Sequence, residues 1–159
     1  MVEVRRAGPE DAPAICGLVN HVIRNTIVTF NSVEKVPGEI AAQMAAGAPF
    51  WVACEAGRVA GYASYGQFRG GVGYRHTIEH SIALDEAAWG RGMGRALMGA
   101  LCDHATAAGM HSVFAGVSAE NGAGVRFHAA MGFEEVARLR EVGFKFDRWH
   151  DLVLMQKFL

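Results

Sequence analysis

Between Thr77 and Val117 the chain reads as a strand, a glycine-rich turn, a long helix and a second strand. Thr77 to Leu84 is a run of β-branched and apolar residues broken by Glu79, His80 and Ser81, a strand pattern. Gly92 to Ala108 places Met93, Ala96, Leu97, Ala100, Leu101 and His104 on one side of a helix, and Gly109 closes it. Ser112 to Val117 is again strand-like. A helix between two strands rules out a hairpin. The strands must pair in parallel through a right-handed crossover. The chain is therefore bound to form an α/β sheet with helices packed on it.

The flanking segments extend this sheet. Val2 and Val4 alternate with polar residues as a first strand, and Pro9 sits where a helix starts. Ala12, Ile15, Val19, Val22 and Ile23 then form one apolar stripe. A second helix is predicted over Pro37 to Ala46, ending at Gly47. Phe50–Glu55 and Val59–Tyr65 read as a hairpin around Ala56-Gly57-Arg58. Gln67 to Tyr74 is glycine-rich and predicted to be a loop. A short helix over Ala123 to Met131 ends at Gly132, and two more strands fall within Glu134–Val142 and Leu152–Phe158. The expected fold is a mixed central sheet flanked by helices. A length of 159 residues with 51% apolar content suits one domain spanning 1–159, and no repeat or linker divides it.

Charge and composition exclude several functions. The formal net charge is -1 and there is no Lys/Arg run, so nucleic acid is not an expected partner. No stretch has transmembrane length and Met-Val-Glu-Val-Arg-Arg has no apolar signal core, so no membrane partner is expected and the location is expected to be cytoplasmic. Cys16, Cys54 and Cys102 are odd in number and form no C-x-x-C pair, which fits buried thiols in a reducing compartment.

The segment Trp89-Gly90-Arg91-Gly92-Met93-Gly94-Arg95-Ala96 lies between strand and helix. Glycines allow close backbone approach, the helix start offers free N–H groups, and Arg91 and Arg95 add positive charge. Together these describe a pyrophosphate cradle, with a plain turn and helix cap as the alternative. The spacing is neither that of a Rossmann fingerprint nor that of a P-loop, which ends in Gly-Lys-Ser/Thr. His76-Thr77-Ile78-Glu79-His80 matches an inverted zinc-peptidase pattern, which needs a helix. On a strand the two histidines stand about 13 Å apart and Glu79 points to the other face, so no metal is expected.

At this loop the chain resembles the GNAT acetyltransferase superfamily, whose acyl-CoA motif has small residues where Gly92 and Gly94 stand, with Trp89 departing from the usual Gln or Arg. The run Asn121 to Phe133 is similar to the superfamily's second signature, with His128 where many members carry Tyr. Phe68-Arg69, Tyr74 to Ser81 and Gly143 to Asp151 resemble the branch acting on phosphinothricin, methionine sulfoximine and methionine sulfone. The resemblance implies a GNAT fold and direct attack of an amine on acetyl-CoA, used as co-substrate.

It also implies roles for named residues. Glu79 is the candidate base, acting directly or through water, and otherwise a strand carboxylate in a salt bridge. His128 is either a general acid at the leaving thiol or structural. Ile82, Ala83 and Leu84 hold the pantetheine arm by their backbone, and Gly90, Arg91, Gly92, Met93, Gly94 and Arg95 hold the pyrophosphate. Asn121 bonds the cofactor arm or caps the next helix. Arg75 and Arg69 are candidates for a substrate carboxylate, and Phe30, Tyr74 and Trp149 for the side-chain pocket. The expected partners are a small-molecule amine and a second copy of the chain in a homodimer. Acetylation of a protein or peptide N-terminus, and a non-catalytic acyl-CoA sensor, are the competing readings.

Overall fold

The computed structural model describes Met1–Leu159. Seven strands are β1 (Val2–Arg6), β2 (Phe50–Glu55), β3 (Arg58–Gln67), β4 (Thr77–Leu84), β5 (Ser112–Ser118), β6 (Glu134–Lys145) and β7 (Arg148–Phe158). Four helices are α1 (Ala12–Asn25), α2 (Pro37–Ala45), α3 (Met93–Ala107) and α4 (Gly122–Ala130). The strands form one sheet in the order β1-β2-β3-β4-β5-β7-β6. Every pairing is antiparallel except β4 with β5, the pair that α3 connects. No helix is long and apolar enough to cross a membrane.

Two cores sandwich the sheet. Trp51 and Ala53 of β2 point into the larger one, with Leu97, Met98, Leu101 and Ala105 of α3. Phe50, Val52 and Cys54 point the other way, onto Ala12, Ile15 and Cys16 of α1 and Ile40 of α2. This alternation explains why β2 reads as a continuous apolar run: both of its faces are covered. All three cysteines are free and buried. Asp11, 5% exposed, closes the turn before α1 by accepting from Arg5 and from the Gly8 N–H.

The C-terminal hairpin is longer than its sequence suggests. The expected strands stop at Val142 and restart at Leu152, whereas β6 reaches Lys145 and β7 begins at Arg148. Phe146 and Asp147 make the turn with φ of 54° and 58°, the geometry of a tight hairpin turn without the glycine that normally announces it. The β6–β7 register shifts between Leu139 and Gly143, where Glu141 has φ 52° and donates its N–H to Asp151 Oδ1 at 2.8 Å. β3 likewise runs on to Gln67, and the following loop contains a short 3-10 turn at Val72–Tyr74.

Candidate active site

β4 and β5 are hydrogen-bonded only where Thr77, Ile78 and Glu79 face Ser112, Val113 and Phe114. Beyond that β4 stays with β3 and β5 stays with β7, so the two strands part. The β5-side edge of His80–Leu84 is left without a ladder partner, and buried backbone groups seek one. A cavity of about 790 Å³ lies along this edge. Its walls include His80 to Leu84, Gly116 and Val117 of β5, the α4 cap Asn121, and Gly124, Phe127 and His128 of α4. Val19, Val22 and Ile23 of α1 and Thr26, Val28, Thr29, Asn31 and Lys35 of the loop after it line it too, with Phe50 and Tyr62.

The N-terminus of α3 opens on the same cavity, which Gly90 and Gly94 also line. Gly90 and Gly92 have φ of 75° and 82°, so both need glycine for the backbone turn. Gly92 caps α3, accepting the Ala96 N–H at 3.0 Å, and the first N–H groups of the helix have no intrahelical acceptor. Gly94 is small for another reason. A Cβ there would lie 2.9 Å from Phe127 Cε1 and 3.6 Å from Leu84 Cδ1, so the glycine lets α4 dock on α3. Met93 is 1% exposed with its side chain in the core, which leaves only its backbone for a ligand. Arg91 is salt-bridged to Glu55, Arg95 is exposed, and neither lines the cavity.

Glu79 reaches the cavity as a carboxylate with no cationic partner. Its Oε2 would be 3.2 Å from a Cβ at Gly116, so the glycine makes room for it. Partial desolvation raises its pKa above the ordinary 4.5, toward the range of a useful base. Ile82, Ala83 and Leu84 line the cavity from the bare edge of β4. Asn121 Oδ1 caps α4 by accepting the Gly124 N–H at 2.9 Å, and the residue also lines the cavity. His128 is the one buried residue of α4.

The predicted substrate contacts are not gathered in this cavity. Arg75 is exposed and donates from Nε to His76 Nε2 at 3.0 Å. The Arg69 guanidinium sits 5.6 Å over the ring of Tyr74, which is exposed. Trp149 is exposed and packs edge-on against Phe144. Phe30 stacks on His150 and fills the space that a Cβ at Gly143 would occupy, while its neighbours Thr29 and Asn31 face the cavity. The buried Lys145 holds the same loop, donating to the carbonyls of Thr26 at 2.6 Å and Thr29 at 2.9 Å.

Sequence reasoning passed over several lining residues. His80, which the sequence marks only through the zinc-like pattern, lines the cavity and pairs with His128. Tyr62, Ser64 and Lys35 come from segments read as hairpin and loop, and nothing local marks them.

A profile described as the acetyltransferase (GNAT) family matches residues 23–133. An L-methionine sulfoximine/L-methionine sulfone acetyltransferase of Salmonella typhimurium is 38% identical, covering 96% of this chain and 92% of that protein. A phosphinothricin N-acetyltransferase of Alcaligenes faecalis is 36% identical, covering 97% of this chain and 81% of its own length. The solved structure of a putative acetyltransferase from Salmonella typhimurium with its cofactor acetyl-CoA superposes with a TM-score of 0.94 at 36% identity, over 99% of this chain and 94% of that one. Shared sequence along nearly the whole length and a shared fold lead to one conclusion: this chain belongs to the GNAT acetyltransferase family.

Proposed function

We propose that the protein transfers the acetyl group of acetyl-CoA to the α-amine of a small amino acid or analogue, of the methionine sulfone, methionine sulfoximine or phosphinothricin type. The carrying observation is Glu79, an unpaired carboxylate with a raised pKa at the point where β4 and β5 part. The bare edge of β4 from Ile82 to Leu84 offers backbone partners to the amide-bearing pantetheine arm. The start of α3 offers N–H groups and a positive dipole end to the pyrophosphate. Arg91, already held by Glu55, contributes little charge, so Gly90 to Gly94 act through the backbone, with Arg95 free to approach a phosphate.

An ammonium has no lone pair, so the amine must first lose a proton, and Glu79 takes it directly or through a water. The neutral amine then attacks the thioester carbon. A backbone N–H of the bare β4 edge stabilises the oxyanion; as it collapses the C–S bond breaks, the thiolate leaves, and the second proton of the attacking nitrogen passes through water to that sulfur, giving the amide and free CoA. His128 and Asn121 flank this reacting end from α4. Arg75 stands outside the cavity, beside Tyr74 and paired with His76, so its proposed contact with the substrate carboxylate would need the loop before β4 to turn inward.

The protein is proposed to act as a homodimer. Val142, Phe144, Phe146 and Trp149 expose apolar surface around the C-terminal hairpin, and a second copy that covers it would bring Trp149 and its neighbours to the partner's site. Three buried free thiols fit a cytoplasmic location.

The test is release of free CoA from acetyl-CoA with a panel of methionine sulfone, methionine sulfoximine, phosphinothricin, common amino acids and short peptides. Turnover with the free amino acids or analogues, and little with peptides, is expected. Preference for peptides would replace this reading with N-terminal acetylation. Tight acetyl-CoA binding without release for any amine would replace it with a sensor.

A further inference from the structure

His80 of β4 and His128 of α4 face each other inside the molecule, 8% and 6% exposed. Their ring planes lie within 20° of each other, and Phe133 meets both rings edge-on. His128 Nδ1 is 2.7 Å from the carbonyl oxygen of Gly124. A carbonyl only accepts, so that nitrogen carries a proton. His128 Nε2 is 3.0 Å from His80 Nε2. Two lone pairs do not face each other at that distance, so one of these nitrogens carries a proton. With both rings neutral it is His80 Nε2, and it donates to His128. His80 Nδ1 keeps its lone pair and finds no hydrogen-bond partner. Burial favours this neutral state, pulling His80 down to about 3 and lowering His128 as well.

We propose that His80 is a positioning residue for acetyl transfer: the Gly124 carbonyl fixes the Nδ1–H tautomer of His128, and the His80 Nε2–H takes up the lone pair this leaves on His128 Nε2, tying the α4 wall of the cavity to β4. Both nitrogens of His128 are then engaged, one by Gly124 and one by His80, and neither is free to touch the departing sulfur. The pair acts as a neutral spacer. It is the one side-chain hydrogen bond between α4 and β4, and it adds a directional tie to the packing of Val125 and Phe127 against the core. It sets the width of the slot in which the acyl chain lies, at the end where the thioester reacts.

The kinetic part rests on the acetyl-transfer reading; the tautomer does not. Nitrogen-15 NMR of histidine-labelled protein without ligand, at pH 7, reads the tautomer directly. The expected pattern for His128 is a pyrrole-type Nδ1 and a pyridine-type Nε2. His80→Phe keeps a ring and removes the donor. His80→Gln places an amide N–H on the same path length from Cβ as the lost Nε2. We expect His80→Phe to keep the Nδ1–H tautomer, which Gly124 fixes, to shift the His128 Nε2 resonance toward that of a nitrogen without a hydrogen bond, and to lower kcat/KM for acetyl-CoA by about tenfold, the rate equivalent of one hydrogen bond. His80→Gln should restore the resonance and kcat/KM, and KM for the amine should stay within about twofold in either variant, below the effect of one lost hydrogen bond. A wild-type His128 protonated at Nε2, or at both nitrogens, overturns the proposal. So does a His80→Gln variant as impaired as His80→Phe, since the ring and not the donor would then matter. Should His80→Phe fail to fold, the His128 Nε2 resonances of wild type and His80→Gln decide the matter. Absence of turnover with every amine would sink the acetyl-transfer reading and leave the tautomer result standing.

Discussion

Gly94 and Gly99 both lie in α3, and one added methyl group separates their roles. At Gly94 the new Cβ would stand 2.9 Å from Phe127 Cε1 and 3.2 Å from Cζ. Carbon atoms pack comfortably at about 3.5 Å or more, so the ring must withdraw by about 0.6 Å. It has little freedom to do so, because the neighbouring His128 anchors α4. At Gly99 nothing lies within 4 Å of the added carbon. Gly94→Ala should cost about 1–3 kcal/mol in overpacking. The better helix propensity of alanine, up to about 1 kcal/mol, is gained at both sites and largely cancels in the comparison. Gly99→Ala should thus melt at or above the wild-type temperature, and Gly94→Ala about 2–12 °C below Gly99→Ala for a chain of this size. Thermal unfolding by circular dichroism reads the difference, and titration with acetyl-CoA should show weaker binding for Gly94→Ala alone. If the two variants melt together, close packing of Phe127 is not what keeps position 94 small.

Glu79→Gln should lower turnover on the order of 10²–10⁴-fold while acetyl-CoA binding stays intact. The wild-type kcat/KM should rise with pH along a limb lying above 4.5, since desolvation raises this carboxyl, and the variant should lack that limb. The sign for stability is opposite. The folded state holds this proton above 4.5, so the group withdraws stability as pH climbs from there to its raised value, and Glu79→Gln should unfold no more easily than wild type at pH 7. Gly116→Ala presses on Glu79 Oε2 from 3.2 Å and should reduce kcat by about tenfold with little change in melting temperature, as expected for a small displacement of a positioned base. Lys145→Met removes both bonds to the loop that walls the cavity; stability should fall by about 1–3 kcal/mol and amine KM should rise, with acetyl-CoA KM unchanged, as steady-state kinetics would show.

The parts of the fold legible in the sequence are those whose signals are local. Gly92 and Gly109 bracket α3, Pro37 opens α2, and the β4–α3–β5 order dictates the crossover. The bounds of β6 and β7 were hidden because Phe146 and Asp147 take left-handed conformations usually given to glycine or asparagine. Glu79 and Ile82 to Leu84 share one strand of legible pattern and line the cavity together, while the roles given to them come from the family resemblance. The His80–His128 pair was not legible, because its members are 48 residues apart. The pairing of Arg91 with Glu55, 36 residues away, is invisible to a local reading, which sees only a free cation in the glycine loop. The reason for Gly94 lies in Phe127, an element further along the chain.

The short ladder between β4 and β5 is also the only joint of the sheet where its two antiparallel blocks, β1–β4 and β5–β7, share hydrogen bonds. Three residue pairs transmit little cooperativity, so amide exchange should separate the blocks into units of unequal protection. A ligand chain lying in the gap bonds to one block and packs against the other. Its binding energy is then also cohesion between the halves. At a concentration one hundred times its dissociation constant it adds about 2.7 kcal/mol to the intact state. With acetyl-CoA in this gap, as proposed above, the occupied slot would complete the sheet, and the loss of product would loosen the same joint that the next acetyl-CoA closes.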